Sequence, residues 1–99
     1  MNFVVQIEPE AIQDIQDAID WYEHQQKGLG EKFYHYLDNV LESLGTNPYY
    51  QVRYSNIRCL PLQKYPFMIH FTIDEANAFV IIRAIFNTSI DPIKWKSRD

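Results

Sequence analysis

The chain has one cysteine, three glycines and no apolar run approaching the roughly 20 residues needed to cross a bilayer. A lone Cys59 excludes an internal disulfide and the multi-cysteine zinc sites, and in its apolar surroundings it reads as a small core residue. The glycines offer no phosphate-cradling loop, because Gly28-Leu29-Gly30 lies between two helical patterns rather than after a strand. His24, His35 and His70 fall on three different predicted elements, at no spacing typical of zinc ligands. No metal and no cofactor is expected. Positive charge is also scarce, with nine Lys and Arg against 13 Asp and Glu, a thin footprint for a dedicated nucleic-acid binder. The segment from Met1 to Ile7 has no basic region ahead of an apolar core. A reduced, cytoplasmic protein with no membrane association is the resulting expectation.

What is present suits one domain over residues 1–99, since apolar residues make up 46% of the chain and can supply a core. The charge is unevenly spread. Residues 1–42 carry nine acids against Lys27 and Lys32, a net of −7, whereas residues 43–99 carry seven bases against four acids, a net of +3. The molecule is therefore expected to be dipolar, its acids forming a solvated face on the first helix.

Phe3-Val4-Val5-Gln6-Ile7 reads as a strand, and Pro9 starts a helix of roughly 9–26, with Ile12, Ile15, Ile19 and Tyr22 on one side. A second helix follows the glycine turn, burying Phe33, Leu37, Val40, Leu41 and Leu44. Gly45 is expected as its C′ residue before Asn47-Pro48. The pattern then changes to strands: Ile57–Leu62 with Pro61 at an edge or bulge, the alternating Phe67–Ile73, and Ala78–Phe86, apolar on both sides. Asp91-Pro92-Ile93-Lys94-Trp95 reads as one helical turn capped by Asp91. The order is β-α-α-β-β-β, an α+β fold in which an antiparallel helix hairpin packs on a small, mostly antiparallel sheet. The first strand is free to pair in either direction.

Among the charged residues, Arg53 and Arg58 flank Ser55-Asn56. A two-residue turn there pairs Tyr54 with Ile57 and opposes the two arginines, which disfavours the pairing unless an anion lies between them. In an extended segment they point to opposite faces. The pair reads either as an anion-recognition site or as partners for acids of the helices. Arg83 sits in mid-strand among apolar neighbours and must be paired or reach an edge. Tyr49, Tyr50 and Trp95 read as core aromatics or as stacking platforms.

In its order and spacing of residues the chain resembles the RelE/ParE superfamily, the toxin half of type II toxin–antitoxin modules, often labelled plasmid stabilization proteins. The resemblance spans nearly the whole length. It rests on Ala11…Asp14-Ile15…Ala18-Ile19-Asp20-Trp21-Tyr22-Glu23, Gly28-Leu29-Gly30-Glu31-Lys32-Phe33 and Asn47-Pro48. It continues through Arg53-Tyr54…Ile57-Arg58…Leu62…Tyr65-Pro66-Phe67…Ile69-His70-Phe71 and Ala84-Ile85-Phe86-Asn87-Thr88-Ser89-Ile90-Asp91-Pro92…Trp95.

The resemblance implies one of two activities. RelE-like members cleave mRNA on the ribosome, using a central-strand arginine and a C-terminal tyrosine or histidine. ParE-like members poison DNA gyrase. Here the arginine position falls at or beside Met68, and the exit that often reads Phe-His-Thr-Ser-Arg is Phe86-Asn87-Thr88-Ser89-Ile90. Asparagine transfers no proton near neutral pH, isoleucine offsets no phosphate charge, and an acidic chain approaches RNA against its field.

The expectation is a ParE-like toxin component, neutralised by a cognate antitoxin and acting by binding DNA gyrase, with Arg53, Arg58, Asn87 and Trp95 on the target. The alternatives are a ribosome-dependent mRNA endoribonuclease, with Arg53, Arg58 and Arg83 as catalytic candidates and Lys64 beside them, or a degenerate, non-toxic member. A dimer and a toxin–antitoxin hetero-oligomer both remain open.

Overall fold

The computed structural model describes residues 2–98, with the side chains of residues 2–95. The elements are β1 (Val4–Ile7), α1 (Pro9–Gln25), α2 (Leu29–Leu44), β2 (Val52–Tyr54), β3 (Ile57–Pro61), β4 (Phe67–Asp74), β5 (Phe79–Asn87) and a 3-10 helix (Pro92–Arg98). The strand β2 is one more than the sequence pattern supplies. Three residues are too few to display an alternation, so β2 exists by pairing with β3 rather than by its own pattern.

Pro9 opens α1 where its missing N–H costs nothing. The buried stripe is Ala11, Ile15, Ala18 and Tyr22. It is rotated from the expected one, which leaves Ile12 exposed and Ile19 half-buried. The alanines are what permit this, since a small side chain lets the helix lie close to its neighbours. Glu23 then fastens the hairpin: its Oε2 accepts the Gly28 N–H at 2.9 Å and its Oε1 the Gly30 N–H at 3.0 Å. These are opening amides of α2, which otherwise lack intrahelical partners. Gly30 allows the helices to touch, because a Cβ there would lie 2.5 Å from the Ile19 carbonyl oxygen.

Phe33, Leu37, Leu41 and Leu44 form the buried side of α2. Gly45 is not left-handed as a C′ glycine commonly is; its φ is −66°. It is glycine at a close approach instead. The Phe3 N–H donates to the Gly45 carbonyl at 2.7 Å, and a Cβ on Gly45 would stand 3.1 Å from the Phe3 carbonyl oxygen.

The sheet order is β1-β5-β4-β3-β2, with β1 parallel to β5 and the other pairs antiparallel. One face carries Ile69, Phe71, Val80, Ile82 and Ile85 against Ala11, Ile15, Phe33, Leu37 and Leu44 of the helices. A bulge interrupts β4 and β5: His70 pairs with Ala84 and Phe71 with Ile82, which leaves Arg83 as the extra residue. That is why Ile82 and Ile85, three apart, both face the helices. Arg83 Nε lies 3.5 Å from Glu8 Oε1, so the mid-strand charge meets an acid at the β1 edge. Among the described residues no helix is long and apolar enough to cross a membrane.

Candidate functional site

The sheet face turned away from the helices holds a compact polar and aromatic cluster. His70 on β4 is 1% exposed, with Nδ1 3.0 Å from the Tyr54 hydroxyl and 3.4 Å from Cys59 Sγ. Phe86 and Trp95 close over it edge to face, with ring centroids 5.0 and 4.6 Å from the imidazole. Trp95 also lies 5.6 Å from the Tyr54 ring.

The 3-10 helix brings the indole there, and Asp91 caps that helix, its Oδ1 accepting the Ile93 N–H at 3.1 Å. Burial pushes the Cys59 thiol up to about 11, against the opposing pull of Arg53. The thiol therefore stays protonated at neutral pH and is a poor nucleophile. With Trp95 seated, the imidazole is closed to a reacting group. Among the described residues no three His, Cys, Asp or Glu side chains converge as a metal site would require.

A second feature lies between α1 and the exit of β5. It is a groove of about 510 Å³ reached by Asp14, Asp17, Ala18, Trp21 and Tyr22 from the helix. Phe67, Ile85, Phe86, Asn87 and Ile90 reach it from the sheet side. Its base continues into an aromatic cluster in which Tyr22 lies 5.1 Å from Phe33, 5.3 Å from Tyr65 and 6.3 Å from Phe67. Burial, and then the neighbouring Tyr65, raise the Tyr22 hydroxyl above its ordinary pKa.

Asp14 departs from the expected solvated acidic face: its Oδ2 accepts the Ile85 N–H at 3.0 Å and ties α1 to the strand exit. Sequence reasoning missed this groove. The available signal was the spacing of Asp14, Asp17 and Trp21, which form a second helical stripe beside the buried one.

The arginines named from sequence fall on three different strands. The turn at Ser55-Asn56 does pair Tyr54 with Ile57, but a bulge makes Arg58 face Val52 rather than Arg53. Arg58 Nη1 donates to the Tyr50 carbonyl at 2.7 Å, and its guanidinium sits 5.6 Å from the Tyr49 ring centre. Neither the opposed pair nor a pairing of Arg58 with a helix acid describes it. Arg53 is exposed. Lys64 lies over the Tyr36 ring at 5.6 Å. Met68 stands between Pro61 and Phe86 in the sheet register. Asn87 Oδ1 accepts the Ser89 N–H at 2.9 Å and the Ser89 hydroxyl at 2.7 Å, closing the turn at the strand exit. Arg58, Asn87 and Trp95 thus hold three different sets of contacts.

A helix hairpin on one face of a five-stranded sheet, with a groove beside the strand exit, defines a small α+β domain. Residues 5–92 match the family described as the ParE toxin of the type II toxin–antitoxin system parDE, and the chain belongs to that family. Among solved structures it is similar to the chromosomal ParDE toxin–antitoxin system from P. aeruginosa. That match has 17% identity and a TM-score of 0.75, and covers 86% of this chain and 95% of the other.

A mutant of E. coli toxin RelE in the free state matches at 10% identity and a TM-score of 0.60, covering 96% of this chain and 93% of that one. The isolated E. coli RelE toxin matches at 9% identity and a TM-score of 0.56, covering 96% and 94%. At these identities the likeness is one of fold. No match is found among curated proteins.

Proposed function

We propose that this chain is the toxin half of a type II toxin–antitoxin module and that it acts by binding DNA gyrase rather than by breaking RNA. The observation that carries the reading is the ParE toxin match over residues 5–92. The chemistry at the strand exit supports it. Asn87 spends its carbonyl oxygen on Ser89, an amide carries no proton near neutral pH, and the Met68 thioether stabilises no developing charge. The contact with gyrase would come from Arg53, Asn87 and Trp95, with Arg58 shaping the loop at Tyr49 and Tyr50. A cognate antitoxin encoded alongside would neutralise the toxin.

Two measurements test this. Induced alone, the chain should arrest growth, and co-expression of the neighbouring reading frame should relieve the arrest. Purified protein should inhibit supercoiling by DNA gyrase and trap cleaved DNA. Cleavage of transcripts at ribosomal A-site codons, with gyrase unaffected, would replace this reading by the endoribonuclease one.

A further inference from the structure

The far face of the sheet encloses a titratable group in surroundings that suit only its neutral form. The His70 imidazole is 1% exposed and closed in by Phe86 and Trp95. Its Nδ1 faces the Tyr54 hydroxyl and the Cys59 thiol, and each of these carries a hydrogen to donate. A neutral ring accepts there. A protonated ring is a donor at both nitrogens, so Nδ1 no longer accepts from either.

The groups packed around the ring do not favour charging it. Among the described residues, β2 contributes Tyr54 and the exposed Arg53, which is close enough to pull on the Cys59 thiol. β3 contributes Cys59, and β5 contributes Ala84 and Phe86, neither of which titrates. The 3-10 helix brings exposed Lys94 and, at its cap, exposed Asp91, whose Oδ1 accepts the Ile93 N–H. Arg53 meets an imidazolium as a like charge. The faces of Trp95 and Phe86 attract a cation, but by less than a fully buried imidazolium loses in hydration.

The cover is the weakest part of this enclosure. Trp95 sits on a terminal helix of seven residues whose Ile93 is 76% exposed. Among the described residues the Trp95 Nε1 is buried with no hydrogen-bond partner, so seating the indole forfeits a bond that water supplies. Lifting the helix returns both that N–H and the imidazole to water.

We propose that His70 is a proton-operated latch: neutral, it holds the 3-10 helix closed over the far face, and protonated, it releases Trp95. The helix hairpin and the core beneath it stay in place. Released, Trp95 and Ile93 become available to a partner surface, while Tyr54, Cys59 and His70 open to solvent. The open form takes up one proton that the closed form excludes. The closed form is therefore fully favoured above the ordinary histidine pKa of about 6.5 and loses ground about tenfold per pH unit below it. The latch concerns this chain alone and does not rest on the toxin reading.

The test reads Trp95 in the full chain carrying Trp21→Phe, which leaves one tryptophan. Its emission and acrylamide quenching are followed from about pH 8 to about pH 5, the range in which histidine changes charge, beside far-ultraviolet circular dichroism. Emission should move to the red and quenching should rise below about pH 6.5 while helix content holds. The open-to-closed ratio should grow about tenfold per pH unit. His70→Gln should abolish this step, whereas His24→Gln and His35→Gln, both at exposed positions, should keep it.

An unchanged Trp95 signal down to about pH 5 overturns the proposal. So does a step that persists in His70→Gln, or a loss of helix content at the same midpoint. Because His70→Gln can disturb folding, the imidazole resonances are also titrated in the unsubstituted chain. His70 should protonate in step with the release of Trp95, and protonation with the indole still seated removes the latch. A flat profile leaves the toxin reading standing, and a failed growth or gyrase assay leaves the latch standing.

Discussion

The two faces of the sheet are built by different means. Toward the helices, Ile69, Phe71, Val80 and Ile82 meet Phe33, Leu37 and Leu44 in a layer held by apolar packing. On the far side, His70 is enclosed by Tyr54, Cys59, Phe86 and Trp95, and part of the cover is a single short 3-10 helix. The first face gains stability from area removed from water, a term indifferent to direction. The second depends on a few directional contacts to one imidazole. Losing apolar volume on the first face therefore damages the whole domain. Changes on the second act locally and leave the helix hairpin standing.

The largest expected effect is on the covered face. Phe33→Ala should cost about 3–5 kcal/mol, since it opens a cavity under both helices. Thermal unfolding should register this as a fall in Tm well beyond that of any far-face variant. Trp95→Ala should cost less, about 1–2 kcal/mol, because the indole covers His70 from a terminal turn. Amide exchange should then rise around His70 and the strand exit while α1 and α2 stay protected. A loss of protection across all elements would show that the two faces are not separable.

Tyr54→Phe removes the hydroxyl beside His70 Nδ1 and should cost about 1 kcal/mol in urea titration. Glu8→Gln, at the half-exposed contact with Arg83, should cost at most about 1 kcal/mol, and salt should shrink even that.

Cys59 should give the smallest effect at neutral pH. Its thiol should react with an aromatic disulfide reagent only when the chain unfolds. Because its folded pKa is raised, from 9.0 to about 11, the thiol's contribution is fully present below the unfolded value. It is lost as pH climbs through that interval, where the unfolded chain ionises first. Rapid labelling of folded protein at neutral pH would contradict the enclosure of the far face.

Much of this comparison was legible in the residues. Helix limits, the hairpin and the alternation of Phe67–Ile73 follow from periodicity, because burial against one partner imposes a period on sequence. What escaped depended on contacts between distant segments. The β2 strand is defined by β3, and the rotation of α1 by which neighbours its alanines face. Gly45 is required by Phe3, more than 40 residues away in the chain. Asp14 is part of an acidic row in the sequence and an acceptor for Ile85 in the fold. The strand exit is marked in the sequence by its residue types. Its association with Trp21 needs the hairpin to be folded over it first.

The bulge at Arg83 carries one more consequence. Val80 and Ile82 face the helices by ordinary alternation, and Ile85 rejoins them only because Arg83 is set aside between Ile82 and Ala84. Arg83 thus acts as an insertion that the strand absorbs without changing phase. Deleting it should leave Ile85, Phe86 and Asn87 facing as they do now and cost the contact with Glu8. Adding a second residue beside it makes the spacing from Ile82 to Ile85 even, so the exit should keep its faces without a bulge while its register slips by two residues along β4.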